Sequence, residues 1–188
     1  MTGVQTCALP ISFNSPIVIF GAGGLGLMAL SLLKALGGKG AIVVDIDVRK
    51  REAAQAAGAL ATVDGKAPDA LEQLVKIAGE PIRAVIDLVG NAQTTQLGFD
   101  CLTKGGKLVI VGLFGGGAPW ALPLIPIKAI TIQGSYVGNL RETQELLDLV
   151  RNQKIAPIPV TTMPLAKANQ ALTDLQKGKL VGRAVLTP

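Results

Sequence analysis

Short apolar runs alternate with helical patterns along residues 13–135. Runs rich in Val, Ile and Leu predict buried strands, and the longer segments between them predict helices. Strands are predicted at 16–20, 41–45, 61–63, 84–89, 107–111 and 130–134. Helices are predicted from the glycine-rich segment to residue 36 and at 48–57, 68–78 and 93–102. Strands that alternate with helices in this way form a parallel, doubly wound α/β sheet.

The alternation ends after residue 135. A helix is predicted at 140–152, followed by a proline-rich link, a second helix at 166–177 and a final strand at 183–186. Because these segments do not continue the sheet pattern, we expect them to pack on something else. The sequence therefore divides into a sheet domain at 13–135 and a C-terminal segment at 136–188.

Composition narrows the possible function. Of the 188 residues, 49% are hydrophobic and 16% are charged, which excludes disorder. The chain has no histidine, so it contains no His-ligated metal site and no Ser-His or Cys-His pair. Its two cysteines, Cys7 and Cys101, are too few for a four-cysteine zinc site and argue against a disulfide framework. We therefore expect a reducing, cytoplasmic location.

Charge and hydropathy disfavour nucleic acids and membranes as partners. The net charge is +5, with scattered basic residues, one Trp and one Tyr, so there is little on which bases could stack. Two stretches lack charge, one before Lys34 and one at 108–127, but both contain clusters of Gly, or of Gly and Pro. Membrane helices do not tolerate such breakers at this density, and buried parallel strands explain the apolarity better.

The first twelve residues, MTGVQTCALPIS, have neither strand nor helix periodicity and lack the basic start of a signal peptide. They resemble the translation of a common short-read sequencing adapter. We therefore expect residues 1–12 to be an artefactual leader and Cys7 to have no function. The alternative is a genuine polar tail.

A glycine-rich segment, GAGGLG, directly follows the first strand and opens the first helix. In this pattern the first glycine allows a tight turn, the second lets the backbone approach a pyrophosphate, and the third lets the helix pack against the strand. The helix start then offers free N–H groups to phosphates. Glycine-rich turns also occur for purely steric reasons. The segment comprises the predicted cofactor-binding residues Gly21, Gly23, Gly24, Leu25 and Gly26, with Ala22 between the first two glycines.

Asp45 ends the second predicted strand, 24 residues beyond Gly21. This spacing is typical of a carboxylate that binds the two hydroxyls of an adenosine ribose. Its charge would repel a ribose 2′-phosphate and so favour NAD over NADP. The alternatives are a solvated strand-end acid or a helix N-cap, although Asp47 is the better candidate for the cap.

Two further residues have competing interpretations. Asp87 lies in an apolar strand, where it is either a hydrogen-bonded structural acid or a catalytic one. Cys101 lies late on a predicted helix, and nothing nearby indicates a thiolate, so we expect a small buried hydrophobe. The basic run at 49–51 reads as the solvated first turn of a helix.

Five ordered motifs carry a family resemblance: GAGGLG, VVDID followed by Arg49 and Lys50, VIVGLF, GSYVGN and GKLVGRAVL. Together they resemble the zinc-containing medium-chain alcohol dehydrogenases, over residues 16–188. The resemblance implies a Rossmann sheet of about six strands in the order 3-2-1-4-5-6. It also implies hydride transfer between an alcohol and NAD, with a catalytic zinc that polarises the oxygen.

The resemblance assigns roles to individual residues. The glycines would hold the pyrophosphate, and the other residues would serve the remaining parts of NAD. These parts are the adenosine ribose (two residues), the adenine (one), the nicotinamide amide (two, which flank the backbone that meets it) and again the phosphates (one arginine). In that order, the residues after the glycines are Asp45 and Lys50, Val89, Val111 and Leu113, and Arg183. Arg183 taken alone reads equally well as an exposed strand-end arginine.

The chain departs from the family in one respect. The family's zinc ligands, chiefly Cys and His, lie mostly in a domain N-terminal to the cofactor domain, whereas this chain starts at the first cofactor strand and has no histidine. We therefore expect a truncated chain, with zinc and the alcohol or aldehyde substrate bound only by a full-length parent. Residues 136–188 would then be the return segment of the absent domain, and residues 120–134 the edge of a homo-oligomer. Such a chain would bind NAD weakly and catalyse nothing.

Three other functions fit parts of the pattern. A zinc-free quinone reductase would prefer NADPH, which Asp45 opposes. A class I methyltransferase also has a glycine-rich loop and an acid after its second strand, but GSYVGN and GKLVGR argue against it. The third alternative is a non-enzymatic dinucleotide-binding module, which no motif argues against.

Overall fold

The computed structural model describes residues 15–118, 120–153, 155 and 157–188; the predicted leader at 1–12 lies outside them. The strands are β1 (Ile17–Phe20), β2 (Ala41–Asp45), β3 (Ala61–Asp64), β4 (Ala84–Asp87), β5 (Lys107–Ile110), β6 (Thr131–Gly134), β7 (Val160–Pro164) and β8 (Arg183–Thr187). The helices are α1 (Gly24–Ala35), α2 (Val48–Ala56), α3 (Ala70–Ala78), α4 (Ala92–Cys101), α5 (Leu124–Lys128), α6 (Leu140–Gln153) and α7 (Ala168–Gln176), with a 3₁₀ turn at Leu165–Lys167.

Six strands form one parallel sheet in the order β3-β2-β1-β4-β5-β6, which confirms the predicted fold class. At its centre Ile19 pairs with Val43 on one side and with Ile86 on the other. The chain winds outward in opposite directions from β1 and from β4. In sheets of this kind, ligands bind in the crevice that this reversal leaves at the carboxyl ends of the strands.

The sheet is covered on both faces. Along β1, Val18 and Phe20 belong to one buried cluster, and Ile17 and Ile19 belong to another on the opposite face. Each such side chain contributes about 1.5–3 kcal/mol when it is fully buried. Burial of both faces explains why the strands read as continuous apolar runs rather than as alternating ones.

The C-terminal segment forms a separate two-stranded parallel sheet from β7 and β8, with Val160 paired to Arg183. The expectation that this segment does not extend the main sheet is confirmed. The prediction of a link without a strand at 160–164 was wrong. Pro164 is tolerated because β7 is an edge strand, and its partner strand lies far along the sequence, beyond the reach of a local pattern.

Two further elements differ from the sequence prediction. Strand β4 ends at Asp87, two residues early, because the Asp87 carboxylate accepts the N–H groups of Val89 and Gly90 and turns the chain there. The short helix α5 was not predicted; it starts after Pro123, a residue whose fixed φ suits a first helical turn. Among the described residues, no helix has the length and apolarity needed to cross a membrane.

Candidate dinucleotide site

The glycine-rich turn between β1 and α1 has the backbone that the sequence predicts. Gly21 has a φ of +96°, a region that favours glycine, and its N–H donates to the carbonyl oxygen of Val44 at 2.8 Å. A Cβ atom on Gly26 would collide with the carbonyl oxygen of Gly21, whereas a Cβ on Gly23 would meet nothing within 4 Å. The turn is therefore closed on the sheet side and open at Gly23.

Arg183 lies directly on the start of α1. A Cβ on Gly24 would come within 2.5 Å of the Arg183 Nε atom and 2.7 Å of its Cζ atom. A helix start carries partial positive charge, so a guanidinium beside it is unfavourable unless an anion lies close to both. The charges at this turn therefore fit a phosphate group.

Asp45, half-buried at the end of β2, is hydrogen-bonded to the turn. The Ala22 N–H donates to its Oδ2 atom at 2.8 Å, and the Asp47 N–H donates to its Oδ1 atom at 2.9 Å. Each carboxylate oxygen can accept a second hydrogen bond. Asp47, rather than Asp45, caps α2, because its side chain accepts the N–H of Arg49.

A cleft of about 390 Å³ lies at the carboxyl ends of β1 to β4. Among the predicted site residues only Gly21, Asp45 and Val89 line it, and all the others, Lys50 and Leu113 included, do not. Leu113 is 77% exposed. The lining residues are Phe20, Gly21, Val44, Asp45, Ile46, Gly65, Lys66, Val89, Asn91, Gln93, Thr94 and Leu97. A largely apolar cleft with a few polar groups and a carboxylate at its rim has the lining typical of a small-molecule site.

The loops after β4 and β5 are joined at this edge. The Val111 N–H donates to the carbonyl oxygen of Asp87 at 2.8 Å, and the Phe114 N–H donates to that of Val89 at 3.1 Å. Val111 therefore sits beside the end of β4, next to the part of the cleft that Val89 lines.

Sequence reasoning missed four polar residues that line the cleft, namely Lys66, Asn91, Gln93 and Thr94. Asn91 and Thr94 form a capping box at the start of α4, an Asn-x-x-Thr pattern that is visible in the sequence. Lys66 follows β3 by two residues, and only the sheet order shows that this strand end faces the cleft.

Asp87 is a structural acid. It is fully buried, and its carboxylate accepts hydrogen bonds from the Val89 and Gly90 N–H groups and from the Thr94 and Thr95 hydroxyls, at 2.8–3.0 Å. Four donors satisfy the carboxylate without a ligand. Asp87 thus fixes the loop that presents Val89 to the cleft.

The variant Asp87→Asn should destabilise the chain by about 1–3 kcal/mol, because an amide replaces one of the two acceptor oxygens in a buried network. Urea unfolding would measure the loss. Asp100→Asn is the matched control: Asp100 is exposed, and its carboxylate accepts from the Gln96 side-chain amide, so the free energy of unfolding of this variant should change by less than about 0.5 kcal/mol. Equal effects of the two variants would contradict this role.

Cys101 is buried, and burial raises the pKa of its thiol to about 12. The thiol therefore stays protonated near neutral pH and is not a nucleophile, as predicted. Within residues 15–118, 120–153, 155 and 157–188, no three His, Cys, Asp or Glu side chains come together in a way that could hold a metal ion. These residues do not fit a zinc site.

The family follows from comparison with known proteins. A family model described as "zinc-binding dehydrogenase" matches residues 24–152. The chain belongs to this zinc-binding dehydrogenase family. The family resemblance predicted from the sequence motifs is confirmed.

Relatives in the zinc-binding dehydrogenase family match nearly the whole chain. An NAD-dependent alcohol dehydrogenase of Sulfurisphaera tokodaii is 37% identical over 179 residues, 93% of this chain and 51% of the relative. An alcohol dehydrogenase of Geobacillus stearothermophilus is 32% identical, covering 98% of this chain and 55% of the relative. The crystal structure of the Aeropyrum pernix alcohol dehydrogenase superposes with a TM-score of 0.85 at 31% identity, over 98% of this chain and 52% of that one. The chain thus spans about half the length of these relatives.

Proposed function

We propose that this chain is the NAD-binding part of an alcohol dehydrogenase. The observation that carries the proposal is the Asp45 carboxylate, which borders the cleft and is hydrogen-bonded to the glycine-rich turn through the Ala22 N–H. The same residue thereby connects the site for a ribose with the site for a pyrophosphate. A methyltransferase-like ligand has no pyrophosphate and leaves Arg183 beside Gly24 unexplained.

Each predicted residue then has a role. The turn from Gly21 to Gly26, with Gly23, Gly24 and Leu25, holds the pyrophosphate, and Arg183 adds a fixed positive charge. Asp45 binds the adenosine ribose, assisted by Lys50 from the first turn of α2, and Val89 packs on the adenine. Val111 and Leu113 flank the backbone that meets the nicotinamide amide.

NAD is the expected cofactor rather than NADP. At about 4 Å and an effective dielectric constant near 20, a carboxylate repels each unit of 2′-phosphate charge by about 4 kcal/mol before salt screening. Half of that repulsion already corresponds to more than a tenfold preference. The Sulfurisphaera tokodaii relative is named an NAD-dependent enzyme, which supports the same choice.

In this proposal, oxidation of the alcohol requires residues beyond those that the structure describes. When bound, NAD would supply the acceptor for a hydride from the alcohol carbon, and the role of this chain would be to bind and orient that cofactor. The residues that the structure describes do not fit zinc, so the proposal gives them no part in polarising the alcohol. By itself the chain should bind NADH without oxidising alcohols.

We propose that residues 13–135 form the cofactor domain and that residues 136–188 pack on a further domain. Strands β7 and β8 are largely exposed, as are Leu172 and Leu175 of α7 at 63% and 60%. An isolated two-stranded sheet is only marginally stable in water, so these exposed apolar surfaces are expected to be buried against another domain. The exposed Leu122 and Ile127 within 120–134 support the predicted oligomer edge.

A fluorescence titration of the chain with NADH tests the proposed function. We expect saturable binding that ADP-ribose displaces, with NADPH weaker by more than about tenfold. Absence of binding, or a preference for NADPH, would refute the proposal, and the second result would favour the quinone reductase alternative.

A further inference from the structure

Arg49 connects two segments that are far apart in the sequence. Its Nε and Nη2 atoms donate to the Asp47 carboxylate at 3.2 and 2.7 Å, and Nη2 also donates to the carbonyl oxygen of Gly178 at 3.0 Å. Asp47 lies between β2 and α2, while Gly178 follows α7. One guanidinium therefore joins the rim of the cleft to the segment that leads into β8.

The Asp47 end of this connection is anchored. The Asp47 side chain caps α2, and its own N–H donates to Asp45 Oδ1. The side-chain hydrogen bond from Arg49 lowers the pKa of Asp47 from 3.8 to about 2. Because the folded-state pKa is depressed, the pair stays charged at neutral pH and is lost only in acid, as the pH falls toward 2.

The Gly178 end leads to Arg183. Between them Val181 packs on the apolar cluster beneath α1 and α2, and the Arg183 N–H donates to the carbonyl oxygen of Pro159 at 3.0 Å. The Arg183 side chain then reaches Gly24 at the start of α1. The position of its guanidinium thus depends on where residues 178–182 lie relative to β2.

We propose that Arg49 is a positioning residue for the cofactor phosphates: by holding Gly178 beside Asp47 it fixes residues 178–182, and so places Arg183 over the glycine-rich turn. The inference rests on the proposed function and requires no contact between Arg49 and NAD. The Arg49 side chain is 53% exposed, and such a pair adds little to stability. Its effect therefore falls on cofactor affinity rather than on unfolding.

A double-mutant cycle on the full 188-residue chain tests this role, with NADH as the ligand. Arg183→Gln should raise the Kd by about 10- to 100-fold, the loss of one hydrogen bond to a charged group. Arg49→Gln should raise it by about three- to tenfold, and the double variant should bind no worse than Arg183→Gln, because Arg49 acts only through the position of Arg183 and the two effects are therefore not additive. Arg49→Lys should recover only part of the affinity, since an ammonium lacks the planar fork.

The matched control is Arg151→Gln, which removes the same charge and one exposed ion pair on α6 and should leave the Kd unchanged. Amide hydrogen exchange without cofactor gives a second reading, in which Arg49→Gln should speed exchange at residues 178–183 by about three- to tenfold. Additive Kd effects or unchanged exchange would overturn the role of Arg49 while NADH binding by the unaltered chain stands. Failure of the unaltered chain to bind NADH would instead refute the proposed function, and the cofactor role of Arg49 with it.

Discussion

Gly26→Ala is expected to abolish NADH binding and to lower the free energy of unfolding by about 2–4 kcal/mol. The added Cβ would collide with the carbonyl oxygen of Gly21, which is backbone and cannot move without opening the turn between β1 and α1. Opening the turn also displaces the Ala22 N–H from Asp45. Urea unfolding and NADH fluorescence, measured on the same preparation, would record both losses.

Gly23→Ala is expected to weaken phosphate binding at the turn without changing the stability of the fold. Gly23 has a φ of −74°, which alanine adopts freely, and its Cβ would meet nothing within 4 Å. Its free energy of unfolding should therefore change by less than about 0.5 kcal/mol. The methyl group would enter the space proposed for the pyrophosphate, so the Kd for NADH should still rise about tenfold or more. Unchanged NADH affinity in this variant would argue against phosphates at the turn.

Asp45→Ala is expected to raise the Kd for NADH by at least about 100-fold, since two hydrogen bonds to a charged acceptor contribute about 1.5–3 kcal/mol each. The variant also leaves the Ala22 and Asp47 N–H groups without their acceptor. NADPH should lose less affinity than NADH, because removal of the carboxylate also removes its repulsion of the 2′-phosphate. The ratio of the two Kd values is therefore the quantity to measure.

Asp45→Asn is the conservative companion of this variant. It keeps the size of the side chain and one acceptor oxygen, so it should fall between the unaltered chain and Asp45→Ala in NADH affinity. Asp100→Asn removes a carboxylate from an exposed face of α4 and should change neither Kd. If the ratio of NADH to NADPH affinity stayed the same in both Asp45 variants, Asp45 would not be the ribose-binding acid.

The sheet and its acidic strand end could be predicted because their signals are local. The apolar runs that form β1 and β2, the glycine-rich turn and Asp45 all follow from short patterns with a known geometry. The strand order comes from the family resemblance, because right-handed crossovers alone are compatible with more than one order. The structural role of Asp87 could also be proposed from the sequence, because an acid inside an apolar strand is buried and requires hydrogen-bond donors.

Contacts between distant segments could not be predicted. Pairing of β7 with β8 joins residues 160–164 to residues 183–187, and no local pattern encodes it. The approach of Arg183 to Gly24 and the bond from Arg49 to Gly178 likewise depend on how the C-terminal segment packs on α1 and α2. Lys66 faces the cleft only because β3 lies at the outer edge of the sheet beside β2.

A crystal structure of the chain grown with saturating NAD would decide whether this crevice is a dinucleotide site. We predict the pyrophosphate over residues 21–26, between the start of α1 and the Arg183 guanidinium, with both adenosine ribose hydroxyls within hydrogen-bond distance of the Asp45 carboxylate. An empty crevice, or a dinucleotide bound with Asp45 turned away from its ribose, would contradict the function proposed for this protein.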